Sequence, residues 1–299
     1  MSMKKETPSD VKLHLAAVNG NLANIRKLLD SGKVHVDCKD KDGTTPLILS
    51  AANGHVDCVL ELLDQGADPL ARRVTGTTAL FFAAQASYLD IADILISHQA
   101  QVDTPSVDGG TPLFVACQYG NLDMVHLLIK HGAKINTCMK DGASPLFIAS
   151  QNGHLRAVQT LLSHGAVVDQ RRLDGATPLW IAAQMNHAAI ARLLLKVGAA
   201  VDNIRRDGAT PLFKACHKGH VDVVEELLKY KPCLSLLPNG ESALHAASLF
   251  GHLNIVKLLL HSGADPKLKN SDGATPKELA VESKHKLVAE YLYQTLLKK

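Results

Sequence analysis

Aromatic side chains are scarce in this 299-residue chain, at 4% of positions with a single Trp. A core with so few rings has to be assembled from Leu, Ala, Val and Ile, and such residues suit closely packed helices. Long apolar runs are missing as well. No stretch approaches the roughly 18 to 20 apolar residues of a membrane span, and Met1 to Lys12 is polar, without a hydrophobic signal core. The expectation is an intracellular, cytoplasmic protein with no membrane insertion, the nucleus remaining open as a second compartment. The six Cys residues (38, 58, 117, 138, 216 and 233) include no Cys-x-x-Cys pair, so reduced thiols are expected. Cys117 and Cys216 read as small packing residues. A formal net charge of +3 is too small to imply a nucleic-acid or membrane partner by itself. Neither His-Glu-x-x-His, nor a Gly-x-x-x-x-Gly-Lys-Ser/Thr phosphate loop, nor a Gly-x-Ser-x-Gly elbow occurs. The chain is therefore expected to be no enzyme and to need no metal or cofactor.

What is present is a period. Gly43, Gly76, Gly109, Gly142, Gly175, Gly208, Gly240 and Gly273 are spaced by 33 residues, with one interval of 32 between Gly208 and Gly240. Self-similarity at this length marks a solenoid, whose units cannot bury their apolar faces alone and lean on their neighbours. Asp174 to Arg205 shows one unit clearly. Asp174-Gly175 is a turn signal, Thr177 is a candidate N-cap, and Pro178 fits the first helical position, where no N–H is needed. Leu179, Ala182 and Ala183 share one helical face, and the small Ala residues allow close approach. This first helix ends near Asn186. A second helix, His187 to Val197, presents Ile190, Leu193, Leu194 and Leu195 and ends at Gly198. Ala200 to Arg206 then reads as a short, β-like hairpin tip.

These residues resemble the ankyrin-repeat family, whose units share Asp-Gly-x-Thr-Pro-Leu, Ala, Gly-His, Leu-Leu and Gly-Ala in that order. Thr-Pro-Leu recurs at 45 to 47, 111 to 113, 177 to 179 and 210 to 212, with variants at 77 to 80, 144 to 146, 242 to 244 and 275 to 277. The resemblance implies an all-α solenoid of about nine stacked helix-turn-helix units with short β-hairpin tips. Residues 1–8 are expected to be disordered and 9–40 to form an N-terminal cap. Seven repeats follow (about 41–73, 74–106, 107–139, 140–172, 173–205, 206–237 and 238–270), with a polar C-terminal cap at 271–299. It also implies a monomer that binds protein partners as a scaffold or adaptor, with a regulatory inhibitor of an enzyme or transcription factor as the alternative.

Most of the 15 His residues have repeat addresses. His55, His154, His220 and His252 follow the first helix, whereas His98, His131, His164 and His261 precede the Gly-Ala position, so they do not converge on a metal or catalytic site. Information about function should lie where the units differ. The position after the repeated Leu, His in the family pattern, carries Phe81, Phe114, Phe147, Trp180 and Phe213 in consecutive units. This aromatic ladder reads either as an apolar strip for a partner or as a packed seam between units. Further along the same helix lie Gln85, Gln118, Gln151 and Gln184, followed by Tyr119, Asn152, Met185, Lys218 and Phe250. The family resemblance places these positions on the concave binding groove; a merely solvated face is the alternative for the Gln row.

The tips carry Arg72, Arg73, Lys140, Arg171, Arg172, Arg205 and Arg206. This basic edge reads either as a seat for an acidic or extended partner segment, or for another anion such as nucleic acid, or as solvated charge offset by nearby Asp residues. Nucleic acid is the less expected ligand. Leu128, Ile135 and Asn136 resemble the arrangement hydroxylated on Asn in ankyrin-family proteins, and tip closure by Asn136 is the alternative. The segment Lys229 to Asn239 is one residue short, lacks Gly-Ala and holds Pro232, Pro238, Leu234, Leu236 and Leu237. It reads as a docking knob, a hinge, or a tolerated tip variant with packed leucines.

Overall fold

The structure is a computed structural model that describes residues 6–297. The described residues form 18 helices arranged as nine pairs, in two compact units. The unit ending at Lys140 contains α1 (Pro8–Val18), α2 (Leu22–Asp30), α3 (Pro46–Ala52), α4 (Val56–Asp64), α5 (Ala79–Ala86), α6 (Leu89–Ser97), α7 (Pro112–Tyr119) and α8 (Leu122–Lys130). The unit starting at Asp141 contains α9 (Pro145–Gln151), α10 (Leu155–Ser163), α11 (Pro178–Gln184), α12 (Ala188–Lys196), α13 (Pro211–Lys218) and α14 (Val221–Leu228). It continues with α15 (Ala243–Leu249), α16 (Leu253–His261), α17 (Pro276–Glu282) and α18 (Lys286–Leu297).

Each first helix starts where its sequence dictates. The Thr177 hydroxyl accepts from the Trp180 N–H at 3.2 Å and Pro178 opens the helix; Thr45, Thr111, Ser144 and Thr210 cap Pro-led helices in the same way, and Thr78 caps one that opens on Ala79. The first helix of that unit ends at Gln184, slightly before the expected Asn186. Within each unit the odd-numbered helices pack on their even partners and on the next odd helix. Leu80, Leu113, Leu179 and Leu212 are wholly buried there, beside Ala84, Cys117, Ala183 and Cys216. Burial pushes the thiols of Cys117 and Cys216 well above the ordinary range, so both are inert packing groups.

Two expectations need correction. No strand occurs among the described residues, so the tips are turns, not β-hairpins. In the tip before α11, the Arg172 N–H donates to the Ala176 carbonyl and the Gly175 N–H to that of Arg172. Successive tips are joined by single rungs, Val74 N–H to Asp42 O, Val107 to Thr75 and Lys140 to Asp108 in one unit, and Leu173 to Asp141 and Arg206 to Asp174 in the other. One rung per junction cannot build a ladder. The segment expected to be disordered to residue 8 is ordered from Glu6, because Thr7 and Asp10 form a reciprocal capping box for α1. Residues 1–5 of that segment, and Lys298 and Lys299 of the polar end, lie outside the described residues.

The short segment keeps the turn geometry of its sister units without their Gly-Ala pair. Lys231 occupies the left-handed position that Gly198 fills one unit earlier (φ +51° against +96°), and buried Pro232 takes the place of Ala199. The Cys233 N–H still bonds to Asp202, as the Ala200 N–H does to Asp169. The missing residue is therefore lost between Cys233 and Leu237. Leu237 is buried, Leu234 half-buried and Leu236 exposed. Pro238 stands where Arg206 stands one unit earlier and has no N–H for the Asp207 carbonyl, so one rung is absent.

Gln99 shares this left-handed conformation (φ +69°) and is exposed, at a position where Gly66 and Gly132 have open space. A non-Gly residue there costs roughly 1–2 kcal/mol, partly offset by the entropy that Gly loses on folding. Gln99→Gly should raise stability by about 0.5–1 kcal/mol in urea denaturation, with an unchanged m-value.

Candidate functional site

The residues that looked chemical are used by the fold. The helix-pair loop of one unit leaves Gly, and the ring at the start of the next second helix lies over it. A Cβ on Gly153 would stand 2.7 Å from the His187 ring, and one on Gly219 2.6 Å from His252. The ring nitrogens then reach the carbonyls that end the preceding first helix, His55 Nε2 to Val18 O at 2.7 Å and His220 Nε2 to Gln184 O at 3.0 Å. His98, His164 and His261 instead bond through Nδ1 to the carbonyl four residues earlier, capping second helices. No group of three or more His, Cys, Asp or Glu suited to a metal occurs among the described residues.

One Cys–His–carboxylate arrangement does exist. His14 Nδ1 is 2.8 Å from Glu6, and its Nε2 lies 3.1 Å from the Cys38 carbonyl and 3.8 Å from Cys38 Sγ. Burial, followed by Asp10 and Glu6, pushes the thiol up to about 12. A nucleophilic cysteine needs the opposite shift.

The aromatic column is largely enclosed. Phe114, Phe147 and Trp180 are buried, whereas Phe81 and Phe213 are half-buried. These rings sit beneath tips. Trp180 Nε1 donates to the Ala209 carbonyl at 3.0 Å, and His245 Nε2 reaches Leu268 O and Ala274 O at 3.1 and 3.2 Å. Arginines close the seam from outside, Arg172 lying 5.1 Å from the Phe147 centroid and Arg205 4.5 Å from that of Trp180. The tip arginines thus divide into two sets. Arg73 stacks on Phe82 and faces Asp42, Arg172 grips Asp174 at 3.1 and 2.6 Å, and Arg205 holds Asp207 at 2.6 Å. The hydrogen bonds from Arg172 hold the Asp174 carboxyl below its ordinary range.

Arg72, Lys140, Arg171 and Arg206 remain exposed. Arg72 donates to the Pro105 carbonyl and Arg171 to Asn203. In the unit starting at Asp141 the tips enclose a cleft of about 580 Å³, lined by all four of Arg171, Arg172, Arg205 and Arg206 together with Leu173, Ile204 and Pro238. Asn136 is exposed in the turn after α8.

On the first helices, Gln85, Gln118, Gln151 and Gln184 are half-buried, and Gln85 Nε2 donates to the Tyr119 hydroxyl at 3.2 Å. Outside them Tyr119, Asn152, Met185, Lys218 and Phe250 are exposed, Tyr119 by 52% and Phe250 by 42%. The Phe250 ring lies tilted by 50° against that of His217, with centroids 4.3 Å apart. Sequence reasoning overlooked His217 and Lys214. The signal was available: Lys214 falls in a column otherwise held by Leu49, Phe82, Val115, Ile148 and Ile181, and His217 ends the Gln row.

A family model described as "Ankyrin repeats (3 copies)" matches residues 13–106, 99–172, 168–236, 198–270 and 233–298. The chain belongs to the ankyrin-repeat family. Among curated proteins it is 56% identical over 68 residues to ankyrin repeat domain-containing protein 29 of Homo sapiens, and 54% identical over 68 residues to its namesake in Danio rerio. Each stretch covers 23% of this chain and 23% of the relative. Ankyrin repeat domain-containing protein 49 of Homo sapiens is 45% identical over 53 residues, 18% of this chain and 22% of that relative. Ankyrin repeats are generally protein-interaction modules and generally not catalytic. No helix among the described residues is long and apolar enough to cross a membrane.

The ankyrin seam generates two measurements. Phe147→Ala removes a ring that is 1% exposed and should cost about 3–5 kcal/mol in chemical denaturation; a cost near 0.5 would mean that the ring is open to solvent. His245 is wholly buried, and burial lowers its pKa from the ordinary 6.5, a shift partly offset by Glu241 and by the Ala274 and Leu268 carbonyls. The unfolded chain then takes up the proton first, so this contribution is complete above pH 6.5 and is lost as pH falls below it. Thermal melts from pH 7.5 to 5 should show falling stability, with a shallower fall in His245→Phe.

Proposed function

We propose that this ankyrin-repeat chain is a non-catalytic, intracellular scaffold or adaptor that acts as a monomer and binds partner proteins through its first-helix faces and tips. The observation that carries this reading is the column of Met185, Lys218 and Phe250 in the unit starting at Asp141, exposed side chains of different chemistry at the C-terminal ends of α11, α13 and α15, with Tyr119 at the equivalent place on α7 of the other unit. Residues on a rigid element hold a fixed geometry, and a column whose chemistry changes from unit to unit supplies specificity without disturbing the core. The half-buried Gln residues beside the column offer donors and acceptors to a peptide backbone. Against the nucleic-acid alternative stands the engagement of Arg73, Arg172 and Arg205 with neighbouring carboxylates. Binding of a duplex would instead fall steeply with salt.

Proximity labelling in cells tests the reading by comparing the intact chain with a Tyr119→Ala/Met185→Ala/Lys218→Ala variant. The expected outcome is a defined partner set that the variant loses while its melting temperature stays within a few degrees. Identical labelling by both proteins would refute the assignment to this column. An adaptor links two captured partners without altering either, whereas an inhibitor lowers the activity of one.

A further inference from the structure

Lys214 breaks the pattern of its own fold. The equivalent side chains Val115, Ile148 and Ile181 are buried apolar groups, yet here a lysine lies half-buried with its Nζ 5.9 Å from the centre of the Trp180 ring. Asp207, whose charge acts on it, is already held by Arg205. Burial, then the like charges of Lys218 and Arg205, lower its pKa from the ordinary lysine value. His217, one turn away, is lowered by burial and then by Lys214 and Lys218, and its Nδ1 is buried without a hydrogen-bond partner. Cations crowded together and partly desolvated raise the energy of the free protein and are relieved by an incoming anion.

The crowding continues toward the tip, where Arg205 covers the same Trp180 ring and opens onto the cleft with Arg171 and Arg206. The eight residues of α13 rise about 12 Å, a length that an extended chain covers with about four residues. At the far end, Phe250 offers an exposed apolar surface against His217. Regularly spaced phosphates suit this surface poorly, because the Asp174 and Asp207 carboxylates, with side chains 31% and 46% exposed, lie among the arginines. A peptide can place its carboxylates between them.

We propose that α13 and the adjoining tips hold an extended acidic segment of a partner protein, with one carboxylate at Lys214 and Lys218, another at Arg171 and Arg206, and an apolar side chain against Phe250. The proposal rests on the protein-interaction reading above and gives it a ligand chemistry. Its test is a titration of the full chain, at about 50 mM salt, with a labelled decapeptide carrying five Glu and one Phe. Anisotropy reports binding, and Trp180, the single Trp of the chain, reports occupancy beside it. The same peptide with Gln for Glu and a short DNA duplex serve as comparison probes.

The expected result is saturable binding of the Glu peptide with a change in Trp180 emission, weakened about tenfold or more by Lys214→Leu and less by Lys218→Gln. Lys214→Leu should melt no lower than the parent, since Leu49 fills the same place in another unit. Equal binding by Lys214→Leu, equal binding of the Gln peptide, or tighter binding of the duplex would overturn the proposal, as would no binding at all. If the cellular partner set is still captured by the intact chain when the peptide fails, only this inference falls. If no partner is captured either, the interaction reading falls with it.

Discussion

Everything in this protein depends on how closely one first helix can approach the next. A pair such as α11 and α12 is too short to enclose its own Leu and Ile residues, and a helix of seven residues is unstable alone in water. Stability comes from the neighbour, and the column of Ala84, Cys117, Ala183 and Cys216 makes the neighbour reachable. A larger side chain in this column would hold the helices apart along their length, removing the contacts of every Leu beside it. The capping residues, the turns and the rungs between tips fix the angle and register at which this approach occurs.

The same constraint determines which residues are left for binding. Histidines at the helix-pair loops close the ends of preceding helices, and rings under the tips are clamped by arginines that are themselves tied to aspartates. A surface rich in chemical side chains is thereby mostly committed to joining units. What remains is a narrow set of side chains on the outer edge of the first helices and the arginines that point away from the seam. In the unit starting at Asp141 the committed and the remaining side chains meet around Trp180, where Arg205, tied to Asp207, and Lys214 both lie over the ring.

Most of the fold is legible in the sequence because its signals are local. Thr177 and Pro178 start a helix wherever they stand, and Gly198 ends one, so the boundaries of α11 and α12 fall within about two residues of those read from the chain. The tips are less legible, since extended-looking residues form strands only if a partner pairs with them along several positions. Arg172 and Arg205 read as a seat for a partner's acid or as solvated charge, and their places in the fold depend on rings 25 residues earlier in the chain. The Lys231-Pro232 pair looks like a loss of Gly-Ala because sequence compares residue types, whereas the backbone keeps φ. Lys214 was visible only by reading down a column across units, not along the chain.

The missing rung at Pro238 has a mechanical meaning. A force applied along the tips is passed from one backbone hydrogen bond to the next, from Leu173 to Asp141 and from Arg206 to Asp174. Between Asp207 and Pro238 no such rung exists, and the load there passes through the helices and the Cys233 N–H to Asp202 bond. The row of tips therefore has a seam of lower stiffness at one edge of the arginine cleft, where the bond from the Cys233 N–H to the Asp202 carboxylate joins the walls without a backbone-to-backbone rung.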